Sequence, residues 1–83
     1  MKMSKEIERE IYQVFSDTFN VPINDIKPET SPGDTPLWDS LGQLNLVSAL
    51  EQHFSIMFEF EELFEIVSVE TIVLTVNKKL NEK

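Results

Sequence analysis

The sequence predicts a small all-α fold, a four-helix bundle with three longer helices, one short helix before the last, and a long first loop. Three observations predict it. Apolar residues recur at helical spacing in three separate stretches. Four prolines and a glycine break the chain between the first two of them. The one stretch that looks extended, Ser55-Ile56-Met57-Phe58-Glu59-Phe60, has no second strand to pair its backbone. With 83 residues, such a chain buries only a little over ~60% of its unfolded surface, so the core must be compact and of one class. Residues 1–83 are expected to form one domain.

Each element has its own warrant. Residues 4–19 form the first helix, with Ser4 as its cap and Ile7, Ile11, Val14, Phe15 and Phe19 on one stripe. Lys5, Glu6, Glu8, Arg9, Glu10 and Gln13 form its solvated face. Residues 20–38 cannot continue it, because Pro22, Pro28, Pro32, Gly33 and Pro36 interrupt the period. Val21, Ile23, Ile26 and Leu37 are expected to pin this loop across the helices. Residues 40–54 form the second helix, with Asp39 or Ser40 as N-cap. At about 100° per residue, Leu46, Val47, Ala49, Leu50 and Phe54 share its core face. Leu41 and Leu44 lie roughly opposite, and two readings stay open: they pack under the preceding loop, or they form a docking spot. Glu61 to Ile66 reads as one or two helical turns. Ser68 caps a last helix with Val69, Ile72, Val73, Val76 and Leu80 on one stripe. Lys78, Lys79 and Lys83 fall at its C-terminal end, where positive charge suits the helix dipole.

Composition excludes much chemistry. There is no cysteine, hence no disulfide, thiolate nucleophile or zinc-thiolate site. A single histidine, His53, cannot supply a histidine metal site or a Ser-His triad and reads as a surface or partly buried residue. With only Gly33 and Gly42, no glycine-rich phosphate loop exists, and no run fits a calcium loop; no metal is expected. The net charge of −8 is uneven: residues 39–77 hold seven acids and no lysine or arginine. Such a surface repels nucleic acid and anionic membranes and favours partners with basic patches. Glu59, Glu61, Glu62 and Glu65 read as a solvated acidic face. No apolar run approaches a membrane span, and the N-terminus lacks a signal peptide's apolar block, so the expected compartment is the cytoplasm.

What remains is Ser40, at the junction of the broken loop and the second helix. A free hydroxyl is a poor nucleophile without a base, and Asp39 is a weak one at neutral pH. Ser40 is therefore better read as a substrate of another enzyme than as a catalyst. A helix N-terminus suits an attached phosphate through its free N–H groups and positive dipole end. The plainer alternative is an ordinary helix cap.

From Val21 to about Leu80 the chain resembles the acyl carrier protein family, whose members are modified on the serine of an Asp-Ser-Leu motif. The matching residues are Asp39-Ser40-Leu41 and Leu46-Val47-Ser48-Ala49-Leu50-Glu51. Phe54-Ser55-Ile56, Glu61-Glu62-Leu63, Ser68-Val69 and the earlier Asp25-Ile26-Lys27-Pro28-Glu29-Thr30 complete the match. The resemblance implies that the chain is not an enzyme. A phosphopantetheinyl transferase would move 4′-phosphopantetheine from coenzyme A onto Ser40, flanked by Asp39 and Leu41, and the arm's thiol would carry acyl groups as thioesters. Leu41, Leu44, Glu51, Glu59, Glu61 and Glu62 would meet the basic patches of acyl ligases and acyltransferases. Leu46, Leu50, Phe58, Leu63, Ile66 and Ile72 would line an acyl cleft, a role compatible with ordinary core packing. A monomer is expected.

The chain also departs from the family pattern. Leu37-Trp38 stands where many fatty-acid carriers have glycine and a small residue, and Gly42, Gln43, Asn45 and Ser48 occupy a stretch where those carriers hold acids. Trp-Asp-Ser-Leu looks more like discrete carriers of specialised pathways, such as secondary metabolites or cell-surface polysaccharides. Trp38 itself is expected to fill a gap in the core or to shield the attachment site. An aminoacyl or peptidyl carrier, and an unmodified helical interaction module, are the alternatives.

Overall fold

A computed structural model describes residues 4–35 and 37–81, with the side chain of Ser4 excepted. The capping role expected of Ser4, the break expected at Pro36 and the terminal charge of Lys83 lie outside that set. Helix α1 spans Ser4–Phe19, α2 spans Ser40–Phe54 and α3 spans Val69–Asn81. A short 3₁₀ helix, Phe60–Glu65, precedes α3, and two 3₁₀ turns, Ile23–Asp25 and Pro32–Asp34, shape the first loop. Among the described residues there is no strand. The all-α bundle is the one the sequence predicts.

The helices stop for local reasons. Asn20 ends α1 in the left-handed conformation at φ 56°, and the Val21 amide turns back to the Ser16 carbonyl at 3.3 Å. Ser55 ends α2 the same way at φ 57°, with the Ile56 amide on the Glu51 carbonyl at 3.2 Å. Both junctions drop an apolar side chain back toward the bundle: Ile56 is buried and Val21 half-buried. Ser68 caps α3 by accepting from the Thr71 amide at 3.3 Å, while Thr71 Oγ1 accepts from the Ser68 amide at 3.0 Å.

The three apolar stripes meet in one core. Ile7, Ile11, Val14, Phe15 and Phe19 from α1 are all buried, as are Leu46, Val47 and Leu50 from α2 and Val69, Ile72 and Val76 from α3. Each fully buried large apolar side chain contributes about 1.5–3 kcal/mol. Ala49, Phe54, Val73 and Leu80 pack half-buried against them. The sequence did not mark Thr75, which is also buried on α3.

Two of the four residues expected to hold the first loop do so: Ile26 is buried and Val21 packs half-buried against the core, whereas Ile23 and Leu37 are exposed. Hydrogen bonds add to the pinning. The carbonyls of Thr30 and Pro28 accept from the Val69 and Glu70 amides at 2.9 and 2.8 Å, satisfying first-turn donors of α3. Thr30 is buried, and its Oγ1 accepts from the Lys27 amide at 2.9 Å. The loop is thereby fixed across the start of α3 and delivers Trp38 to the start of α2.

Candidate functional site

Trp38 organises the site. It is buried between α1 and α2, with its ring centroid 5.2 Å from that of Phe15 and 6.0 Å from that of Phe19. Trp38 fills the core, one of the two roles weighed for it, and it also lines a groove beside Ser40. Its indole Nε1–H donates to Gln43 Oε1 at 2.6 Å. Gln43 Nε2 then donates to the carbonyls of Leu63 at 3.2 Å and Ile66 at 3.4 Å. One glutamine thus ties the residue before the Asp-Ser-Leu motif, the first turn of α2 and the end of the 3₁₀ helix together.

The motif opens α2 in a defined way. Asp39 is the N-cap, its Oδ1 accepting from the Gly42 amide at 2.9 Å. Ser40 is consequently the first residue inside the helix rather than its cap, and it is exposed. The first intrahelical bond runs from the Gln43 amide to the Asp39 carbonyl at 2.7 Å, so the amides of Ser40 and Leu41 have no acceptor within the helix. Gly42 permits the close approach of the loop: a Cβ there would strike the Leu37 carbonyl and come within 2.9 Å of the Phe19 ring.

Leu41 and Leu44 are 69% and 57% exposed, so they do not pack under the loop. They lie on two sides of Ser40. Leu41 borders a shallow depression with Leu37 and Asn45. Leu44 lines an open groove of about 530 Å³ that also includes Ser40, Pro32, Phe60 and Phe64. Phe60 and Phe64 are mostly exposed, with ring centroids 5.2 Å apart, edge to face.

The remaining candidate residues divide between core, groove and surface. Leu46, Leu50 and Ile72 have no exposed surface and belong to the core; the half-buried Leu63 and the buried core residue Ile66 also line the groove. Phe58 is half-buried beneath Lys79, whose Nζ is 5.9 Å from the ring centroid. Glu59 and Glu61 are exposed. Glu51 accepts from the Phe58 amide at 2.9 Å. Glu62 is not a solvated acid: its carboxylate meets Lys79 Nζ at 2.7 Å, and both side chains are only 12% exposed. The Lys79 hydrogen bond holds the Glu62 carboxyl below its ordinary pKa, against the opposing effect of burial and with help from the Glu59 amide. His53, exposed, has its Nε2 3.0 Å from Glu10. Among the described residues, no cluster of three or more acids or histidines is placed to hold a metal, and no helix is long and apolar enough to cross a membrane.

Sequence reasoning overlooked Gln43, Phe60 and Phe64. For Gln43 a signal existed, since at about 100° per residue it falls at the middle of the face formed by Leu46, Val47 and Leu50. A polar residue there needs buried partners. Phe60 and Phe64 gave no such sign, because an apolar side chain in a short helix reads as core by default.

Ser40 is thus an exposed hydroxyl at a helix start whose neighbouring carboxylate is engaged as a cap. Residues 9–76 match the family model described as phosphopantetheine attachment site. The acyl carrier protein of Petrotoga mobilis is 32% identical over 76 residues, covering 92% of this chain and 89% of that protein. The solution structure of the holo acyl carrier protein from Geobacter metallireducens is similar at a TM-score of 0.82 and 32% identity, over 90% of this chain and 86% of that one. The acyl carrier protein from Thermotoga maritima shares the fold at a TM-score of 0.78 and 24% identity, over 95% and 92% of the two chains. The chain belongs to the acyl carrier protein family, and its prosthetic group is 4′-phosphopantetheine. It is a carrier that works with a phosphopantetheinyl transferase and acyl-handling enzymes.

Proposed function

We propose that Ser40 bears the phosphopantetheine arm and that residues 1–83 act as one carrier domain in a dedicated biosynthetic pathway. The observation that carries the attachment is the position of Ser40: exposed, first in α2 and relieved of capping by Asp39. The residues present fit the group. The amides of Ser40 and Leu41 and the positive end of α2 favour the charge of a phosphodiester, and the adjoining groove is largely apolar. When bound, the group supplies a thiol that holds an acyl chain as a thioester. The chain's own task is to present an accessible hydroxyl, and the base that takes its proton belongs to the transferase.

Docking falls to the exposed Leu41 and Leu44 with the nearby acids Glu59 and Glu61. Glu51 and Glu62, engaged internally, shape that surface rather than face a partner. The first half of α2 contains no acid, and Gln43 is turned inward. A partner that relies on carboxylates along α2 finds few here, which favours a specialised pathway over the fatty-acid synthase and partners whose basic patches seek the 3₁₀ helix.

The test is intact mass after incubation with coenzyme A, magnesium and a promiscuous phosphopantetheinyl transferase. The wild-type chain gains one phosphopantetheinyl group and Ser40→Ala gains none. A gain that survives Ser40→Ala overturns the assignment.

A further inference from the structure

We propose that the exposed ring pair of Phe60 and Phe64, rimmed by Glu59 and Glu61, receives an arginine from the surface of a partner protein and selects it over lysine. The inference rests on the reading of this chain as a carrier that partner enzymes dock with near Ser40. Phe60 is 73% exposed and Phe64 70%, and their ring centroids stand 5.2 Å apart, edge to face. The fold does not need these rings for its core, since the same segment packs inward through Phe58, Leu63 and Ile66. Two phenylalanines held side by side in solvent form an uncovered apolar patch, of the residue type enriched where proteins meet.

Charge names the occupant. Glu59 and Glu61 are exposed and flank Phe60 in the chain. Residues three apart eclipse in a 3₁₀ helix, which sets Glu61 along the same line as Phe64. Lys78 and Lys79 approach this helix at Glu62, on a different line, and residues 39–77 hold no lysine or arginine of their own. A carboxylate by itself takes either cation, but an open ring beside it discriminates. The guanidinium is planar and weakly hydrated, stacks on an aromatic face and offers a fork of N–H donors to a carboxylate, whereas the lysine ammonium is a strongly hydrated point charge. One arginine laid on Phe64 therefore meets ring and Glu61 together. Both rings border the groove that includes Ser40, so an arginine seated there holds the partner's surface beside the attachment point.

The experiment titrates the full isotope-labelled chain with N-acetyl-argininamide and, separately, with N-acetyl-lysinamide, at low salt where exposed charges are least screened. NMR follows the Phe60 and Phe64 ring protons. Expected are saturable ring shifts with a Kd about two- to fivefold lower for the arginine amide, the margin that an exposed cation–π contact of ordinary strength provides. Phe60→Leu/Phe64→Leu, altered only at exposed positions, should keep the folded amide spectrum and bind the two amides equally. Glu61→Gln should weaken the binding of both. Equal affinities in the wild type, or an arginine preference that survives the double leucine variant, overturn the inference. Ring shifts that grow with protein concentration in the absence of either amide also overturn it, because a second copy is then the occupant. Loss of the preference in a chain that gains mass at Ser40 strikes this inference alone. A retained preference without that mass gain overturns the carrier reading, and with it the partner enzyme as the source of the arginine.

Discussion

At the residue scale, adjacent positions in the motif have separable duties. Asp39 holds the Gly42 amide and so serves stability, whereas Ser40 holds no first-turn amide and is, on the proposed function, the residue that is loaded. Asp39→Ala should therefore cost about 0.5–2 kcal/mol as a lost cap. Ser40→Ala should stay within about 0.5 kcal/mol, since alanine suits a helix start and no cap is lost. Urea unfolding of the two variants, beside the loading assay, checks the division; a Ser40→Ala loss as large as that of Asp39→Ala would return the serine to a structural role. Gly42 is the third member of the set. Its Cβ would meet the Leu37 carbonyl, a backbone atom that cannot swing away as a side-chain tip does. Gly42→Ala should cost about 1–3 kcal/mol as an overpacking change, read by the same unfolding measurement.

Helix α2 is the element in which core and surface roles meet. Leu50→Ala should destabilise by about 2–5 kcal/mol, because Leu50 has no exposed surface. Leu44→Ala should stay within about 0.5 kcal/mol, because Leu44 faces the groove. Equal losses in urea unfolding would mean that the two faces of α2 have been exchanged. The core face was legible in the sequence because burial follows the helical period, which the order of apolar residues displays directly. Ser40 was legible through its motif and its place at a helix start. The groove was not, since it forms where Pro32, α2 and the 3₁₀ helix converge, and such convergence leaves no local period. The first loop was half legible for a related reason. Val21 and Ile26 anchor it as expected, but the carbonyls of the buried Thr30 and of Pro28 also hold it through α3 amides, and any residue provides a carbonyl.

For the whole molecule, charge is the quantity that bounds stability. The chain carries a net −8, and Glu62, on the 3₁₀ helix, is held by Lys79 of α3 at 2.7 Å and approached by Lys78 at 3.9 Å. The Lys79 hydrogen bond lowers the pKa of Glu62 in the folded chain. Between its folded value and its ordinary value the unfolded state binds more protons. The contribution of Glu62 is therefore complete above about pH 4.3, the usual glutamate value, and fades as the pH falls through the lower folded value. Other carboxylates titrate nearby and ease their mutual repulsion as they protonate, so the total stability of the wild type does not isolate the pair. The difference between wild type and Glu62→Gln does. At pH 7 the variant should be less stable by about 1.5–3 kcal/mol, the usual loss of a hydrogen bond to a charged group. Urea unfolding repeated at stepwise lower pH should show that gap narrowing below about pH 4 as Glu62 takes up its proton and approaches the glutamine in charge. A gap of constant size down to pH 3 would mean that shape and neutral hydrogen bonding, rather than the Lys79 ion pair, join the 3₁₀ helix to α3.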